Sequence, residues 1–343
     1  MAGALKDNLY SLINAWGVVG REGPVRDWIW AKLKGFGETR ADGAGNLWLT
    51  MGKGEKRIAF IAHMDELGFA VSRITERGTA QFQLLGGIDE RVLPGRVVEF
   101  MTREGQVLPG VIGITPPHLT PSAEDRAKAI RLGEMEVYFG FSSRQEAEAE
   151  GLRVTDLGRF GKSPFGLRRD LVCGRALDDR AGCAVLLHLA ERFKVEPPAA
   201  TVSLIWTVQE EFGLRGAKAV ARHAFDEVSI VDTISTTHEL AVNTPAQYSE
   251  LGLGKGPVIR FLDRAHIASE ALIAKVEEVA RERGIALQYA ISGGTTDAAA
   301  LFEGGSPALP IAIPLAFTHS PVEVASLMDI EQVIEVCAGL AIG

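Results

Sequence analysis

Four short runs in this chain are almost wholly apolar, and each leads to a histidine or a carboxylate within a few residues. RIAFIA (57–62) leads to His63 and Asp65, TVSLIWTV (201–208) to Glu210 and Glu211, VSIV (228–231) to Asp232, and ALPIAI (308–313) to His319. A strand without polar alternation is buried on both faces, which is the habit of parallel strands covered by helices. The segments between read as those helices. Residues 179–193 put Cys183, Leu186, Leu187, Ala190 and Phe193 at helical spacing, residues 269–283 are amphipathic, and residues 330–341 close the chain. Strands alternating with helices predict an α/β fold, a mixed sheet flanked by helices. Ligands of such sheets gather beyond the carboxyl ends of the strands. The fold these runs dictate would therefore bring their polar ends to one place.

Two other stretches frame this core. Residues 5–35 read as helical around Gly20 and Gly23, and residues 46–49 as one more strand. From 68 to 165 the texture changes to short β-branched or aromatic segments (AQFQLLG, RVVEFMT, GVIGI, EMEVYFGF) divided by Gly and Pro, the pattern of a small all-β module. A helix over 122–131 and a charged stretch at 143–150 interrupt it. The predicted plan is a discontinuous α/β domain, residues 1–67 and 166–343, with a β domain of residues 68–165 inserted after the strand that ends near His63.

Bulk properties exclude several classes. A net charge of −8 gives a nucleic-acid partner no electrostatic support. The longest apolar run, 307–317, is broken by Pro310 and Pro314, so no membrane-spanning helix is expected. The N-terminus lacks the basic region and apolar core of a signal peptide. Cys173, Cys183 and Cys337 are too few and too far apart for a disulfide framework or a zinc knuckle. A reducing cytoplasm is the expected location.

The polar ends carry the chemistry. An imidazole at His63 could bind a metal while Asp65 holds its other ring nitrogen, although a solvated turn uses the same residues. Asp178 and Asp179 open a helix, where acids serve as N-cap and dipole partner. Alternatively, Asp178 could give one oxygen to each of two cations. Glu210 and Glu211 are adjacent carboxylates just past a buried strand, costly there unless paired, protonated or metal-bound. One could bind metal and the other act as general base. A glycosidase pair flanks its bond from opposite sides, about 5 Å or more apart, which neighbours do awkwardly. His188 reads as structural, and His118, His223, His238 and His266 lie in loop-like or polar contexts. Nitrogen and oxygen donors without thiolates suit zinc, with cobalt or manganese as alternatives.

Longer motifs surround these residues: AHMDELGF (62–69), GVIGITPPHL (110–119), GRALDDRAGC (174–183), VQEEFGLRGA (208–217), LGKGP (253–257), GGTTDAAA (293–300) and THSPVE (318–323). Together they resemble the M42 metallo-aminopeptidases, a family that includes the tetrahedral (TET) and glutamyl aminopeptidases and proteins labelled CelM-type endoglucanases. The resemblance implies a phosphorylase/hydrolase-like zinc-peptidase domain with an inserted β-barrel or PDZ-like domain used for oligomerisation. It implies two divalent metal ions, one on His63 and Asp232, the other on Glu211 and His319, with Asp178 bridging them. Glu210 would be the general base, Asp65 the partner of His63, and the Asp178–Asp179 peptide cis. Peptides would be the substrates and a homo-oligomer, dimer-based and up to a dodecamer, the assembly. An endo-β-glucanase and a non-catalytic assembly protein are the alternatives. The usual GGGTDA loop reads GGTTDA here, and TISTTHELAVNTP (233–245) replaces a shorter Gly-Asp-Thr-Pro run, so the resemblance does not fix the preferred residue.

Overall fold

The four apolar runs are adjacent parallel strands. Across the sheet they run Thr201–Thr207, Arg57–His63, Glu227–Ser235 and Ala308–Ala316. Antiparallel strands extend the sheet on both sides, Leu47–Met51 and Glu38–Ala41 at one edge, Glu323–Ser326, Leu171–Gly174 and Phe165–Gly166 at the other. Among the described residues, Val258–Leu262 and Gln288–Ile291 complete the 11 strands of this sheet. The computed structural model describes residues 2–120, 122–237 and 250–342. The chain divides into two compact units, residues 1–66, 164–318 and 322–343 in the first, residues 67–163 and 319–321 in the second.

The sheet belongs to the first unit, and its strands feed two cores. Along Arg57–His63, Ile58, Phe60 and Ala62 enter one core while Ala59 and Ile61 enter the other, because successive strand side chains point to opposite faces. The first core is closed by Ala2–Asn14, Leu177–Val195 and Leu327–Ile342, through residues such as Leu9, Leu186 and Val333. The second is closed by Arg215–Val220 and Ala298–Glu303, through Ala217, Val220 and Leu301. Each fully buried Leu, Ile or Phe contributes roughly 1.5–3 kcal/mol, so a strand with both faces covered is anchored more firmly than a surface strand.

In the second unit, Gly68–Ile74, Ala80–Leu85, Val137–Tyr138, Val107–Ile112, Val97–Met101 and Leu157–Phe160 form a closed barrel. Phe69 is fully buried in its core, with ring centroids 5.4 Å from Phe82 and 5.0 Å from Phe160.

Several elements depart from the sequence reading. The helical stretch 5–35 is two helices, Ala2–Asn14 and Gly23–Lys32. Between them Gly20 takes φ +80° and Val18 bridges to Glu66. Only Ala123–Ala127 is α-helical within 122–131, whereas the charged stretch 143–150 holds the helix Arg144–Ala149, capped by Ser143 on the Glu146 N–H. Asp232 does not end its strand. Parallel pairing with Ala308–Ala316 carries the strand on to Ser235, past Pro314. Among the described residues no helix is long and apolar enough to cross a membrane. Residues 238–249, with His238 and part of TISTTHELAVNTP, lie outside the described residues.

Candidate active site

Because the four central strands are parallel, their carboxyl ends share one edge, and His63 sits on it in register with Thr207. Its side chain is 3% exposed. His63 Nε2 lies 3.2 Å from Asp178 Oδ1 and 3.9 Å from Asp232 Oδ1, and Nδ1 lies 3.5 Å from Asp65 Oδ1. Burial works against a charge on this ring, but Asp178 and Asp65 outweigh it and hold its pKa well above the ordinary imidazole value.

Asp178 reaches this edge through a local device. The helix Leu177–Val195 has non-helical backbone at Asp178 and Asp179, and the peptide between them is cis. Asp179 is the true N-cap: its Oδ1 accepts the Gly182 N–H at 2.9 Å, and its Oδ2 accepts the His63 N–H at 3.3 Å. Gly182 is required here, since a Cβ would lie 2.4 Å from Asp179 Oδ2 and 2.7 Å from the Val231 carbonyl. The Asp178 N–H donates to Glu323 Oε2 at 3.2 Å.

Glu210 and Glu211 are placed differently. Beyond Val208 the backbone turns through Gln209 at φ 55°. The buried Asp65 carboxylate then accepts the Glu210 N–H on one oxygen and the Glu211 N–H on the other, both at 3.0 Å. Asp65 thus faces His63 and the acidic turn together. Partial burial raises the Glu210 pKa well above the ordinary carboxylate value, His63 opposing it and Asp232, Asp297 and Glu211 reinforcing it. Asp232 is pushed up to about 6 by burial and by Asp178.

Two sets of donor atoms lie within 4.8 Å of one another, His63 with Asp178 and Glu211, and His63 with Asp179 and Asp232. Donors on one tetrahedral cation, about 2.0–2.1 Å from it, stand roughly 3.3 Å apart. The 3.2 Å separation of His63 Nε2 from Asp178 Oδ1 matches that spacing, and the 3.9 Å separation from Asp232 Oδ1 is somewhat wider. A buried imidazole among acids whose proton affinity is raised needs positive charge, and a divalent cation supplies it. The donor set fits such an ion. His63, Asp65, Asp178, Glu210, Glu211 and Asp232 all belong to the first unit. His319 belongs to the second, with Nδ1 2.8 Å from the Gly87 carbonyl.

Asp297, the last residue of the GGTTD motif, is a further acid at this edge, and nothing beyond that motif marks it in the sequence. It is 2% exposed and accepts the Thr207 hydroxyl at 2.7 Å, beside His63 in the sheet. Burial raises its pKa to about 7.

A profile of the M42 glutamyl aminopeptidase family matches residues 45–336. A solved TET1 peptidase from Pyrococcus horikoshii, which can assemble into a tetrahedron or a large octahedral shell, aligns with a TM-score of 0.90 at 36% identity, covering 98% of this chain and 99% of that one. A lysyl aminopeptidase from Pyrococcus furiosus is 30% identical over 341 residues, 96% of this chain and 94% of its own. A glutamyl aminopeptidase from Lactococcus lactis is 28% identical over 335 residues, 96% of this chain and 93% of its own.

Proposed function

The chain belongs to the M42 glutamyl aminopeptidase family, and on that premise we propose that it releases N-terminal residues from peptides at a centre of two divalent metal ions. The observation that carries this reading is the convergence of His63, Asp178, Asp232 and Glu211 at one sheet edge, with Glu210 beside them. His63 and Asp232 would hold one ion, Glu211 and His319 the other, and Asp178 both. Zinc is the first candidate and cobalt or manganese the alternatives. Bound there, such ions supply Lewis acidity, which activates water and polarises a carbonyl.

Glu210 moves the proton. Its raised proton affinity suits it to accept one from the attacking water and deliver it to the amine nitrogen as the C–N bond breaks. Asp65 orients the imidazole of His63 and fixes the backbone on which Glu210 stands.

We read the second unit as an inserted domain that joins copies into a homo-oligomer, dimers built into a dodecamer. An apolar row supports this. Val97 pairs with Val111, and Val111 with Tyr138, and these side chains are 53%, 42% and 55% exposed. The buried cysteine side chains at 173, 183 and 337 suit a cytoplasmic enzyme.

The test is a panel of aminoacyl, N-acylated and glucan substrates, run after chelation and after refilling with zinc, cobalt or manganese. Amino acids released from free-amine substrates only, lost on chelation and restored by metal, are expected. Reducing ends from glucan would replace this reading with an endoglucanase. Sizing in solution tests the assembly.

A further inference from the structure

We propose that Glu22 is a positioning residue for Glu210, holding the turn on which the proton-moving carboxylate stands. Glu22 immediately precedes the helix Gly23–Lys32, and its side chain does not cap that helix. Its side chain turns inward, and Oε1 accepts the Gly20 N–H at 2.8 Å and the Gln209 N–H at 3.2 Å. The residue is 6% exposed.

Gln209 is the residue that makes the turn. Its φ of 55° lies in the left-handed region, which is unfavourable for a non-glycine residue because Cβ crowds the following carbonyl oxygen. With Gln209 so placed, three successive N–H groups all donate to carboxylates: Gln209 to Glu22, and Glu210 and Glu211 to Asp65. The turn then closes on itself, as the Gly213 and Leu214 N–H groups donate to the Glu210 carbonyl and the Gly216 N–H to the Val208 carbonyl. Asp65 fixes the two glutamates, but of these two acids only Glu22 holds the residue that bears the unusual φ. Without that acceptor the Gln209 amide is left to find another, and the backbone can relax away from φ 55°, taking the Glu210 carboxylate with it. Keeping an acid in this place has a cost, since burial and the nearby Asp65 charge push Glu22 up to about 7. A carboxylate buried at that cost and bonded to the Gln209 N–H is serving the turn.

The proposal rests on Glu210 as the proton-moving group, and the experiment separates the two claims. In Glu22→Ala, kcat should fall roughly 10–100-fold with KM and bound metal near wild type, the scale expected for a misplaced catalytic group. In Glu22→Gln the amide oxygen can accept the same two N–H groups, so kcat should stay near wild type. In metal-free protein, hydrogen exchange at Gln209–Glu211 should accelerate in Glu22→Ala and not in Glu22→Gln. Wild-type kcat per folded molecule in Glu22→Ala, or unchanged exchange at these amides, overturns the proposal. If the alanine variant does not fold, Glu22→Asp, which keeps the charge and withdraws the oxygen by one methylene, should show the same fall in kcat, and wild-type turnover there overturns it. Full activity in Glu210→Gln would remove the proton-transfer reading, while the exchange data would still report whether Glu22 holds the turn.

Discussion

Two turns deliver acids to the same sheet edge, and the carboxylate that shapes each lies within the turn in one and far off in sequence in the other. The turn carrying Asp178 is secured first from within, by Asp179 capping the N–H of Gly182 three residues on. The turn carrying Glu210 and Glu211 is secured from outside, by Asp65 at 145 and 146 positions' distance and by Glu22 at 187. The first turn comes with its helix and is then tied to the sheet, where Asp179 accepts the His63 N–H and the Asp178 N–H donates to Glu323. The second has its shape only once the N-terminal segment, the strand Arg57–His63 and the strand Thr201–Thr207 are all in place. One group thus arrives with a local element, while the group assigned the proton is a property of the whole unit.

The largest effect should come from a change that leaves both turns intact. In Glu210→Gln the backbone bonds to Asp65 persist, and only the proton-accepting oxygen is lost. We expect kcat to fall by about 10²–10⁴-fold, the range of general acid–base contributions, with metal content unchanged by elemental analysis. Retained turnover would remove Glu210 from the mechanism. Next in size is Asp65→Ala, which releases the externally held turn and strips His63 of its partner. Metal affinity should drop about 10–100-fold, measured by zinc titration of the chelated protein. Affinity at the wild-type level would show that the second turn does not need its remote anchor.

Gly182→Ala attacks the internally held turn instead. The added methyl would lie 2.4 Å from Asp179 Oδ2 and 2.7 Å from the Val231 carbonyl, so the cap or the helix–strand contact must shift. Overpacking of this kind costs about 1–3 kcal/mol, to be read as a lower Tm in thermal unfolding. An unchanged Tm would mean that the cap is looser than its geometry indicates. Each substitution tests one side of the contrast, remote support at Asp65 and local support at Gly182.

The same contrast explains what the sequence discloses. The central strands are readable because a run such as RIAFIA is apolar without alternation, and the two cores that take Phe60 and Ile61 require that. The acids at 178–179 are readable as a helix start, and the structure divides them, Asp179 to the cap and Asp178 toward His63. The apolar letters stop at Asp232 and so mark a strand end there, whereas pairing with Ala312 puts it inside a longer strand. Nothing local marks the roles of Glu22 and Asp297, since Gln209 and Thr207, which they bond, lie 187 and 90 positions away. Short strands such as Glu323–Ser326 and short helices such as Arg215–Val220 span too few residues for a period to show.

The smallest effect concerns pH, and it too sets the site against the surface. Asp89, paired with Arg91 on the surface, is lowered to about 2, so its contribution is present above the ordinary pKa and lost only in strong acid. The site acids have the opposite sign. Burial raises Asp232 to about 6 and Asp297 to about 7, from an ordinary value of 3.8. Between about pH 4 and 7 the metal-free folded protein therefore holds protons that the unfolded chain has released, and stability falls as pH rises through that window. A divalent cation takes the place of those protons. The chelated protein should thus melt at a lower temperature at pH 7.5 than at pH 5, and zinc should raise the pH 7.5 value more than the pH 5 value. Equal melting temperatures for the chelated protein at the two pH values would mean that the crowded acids do not strain the empty site, and the case for a cation drawn from their crowding would fail with it.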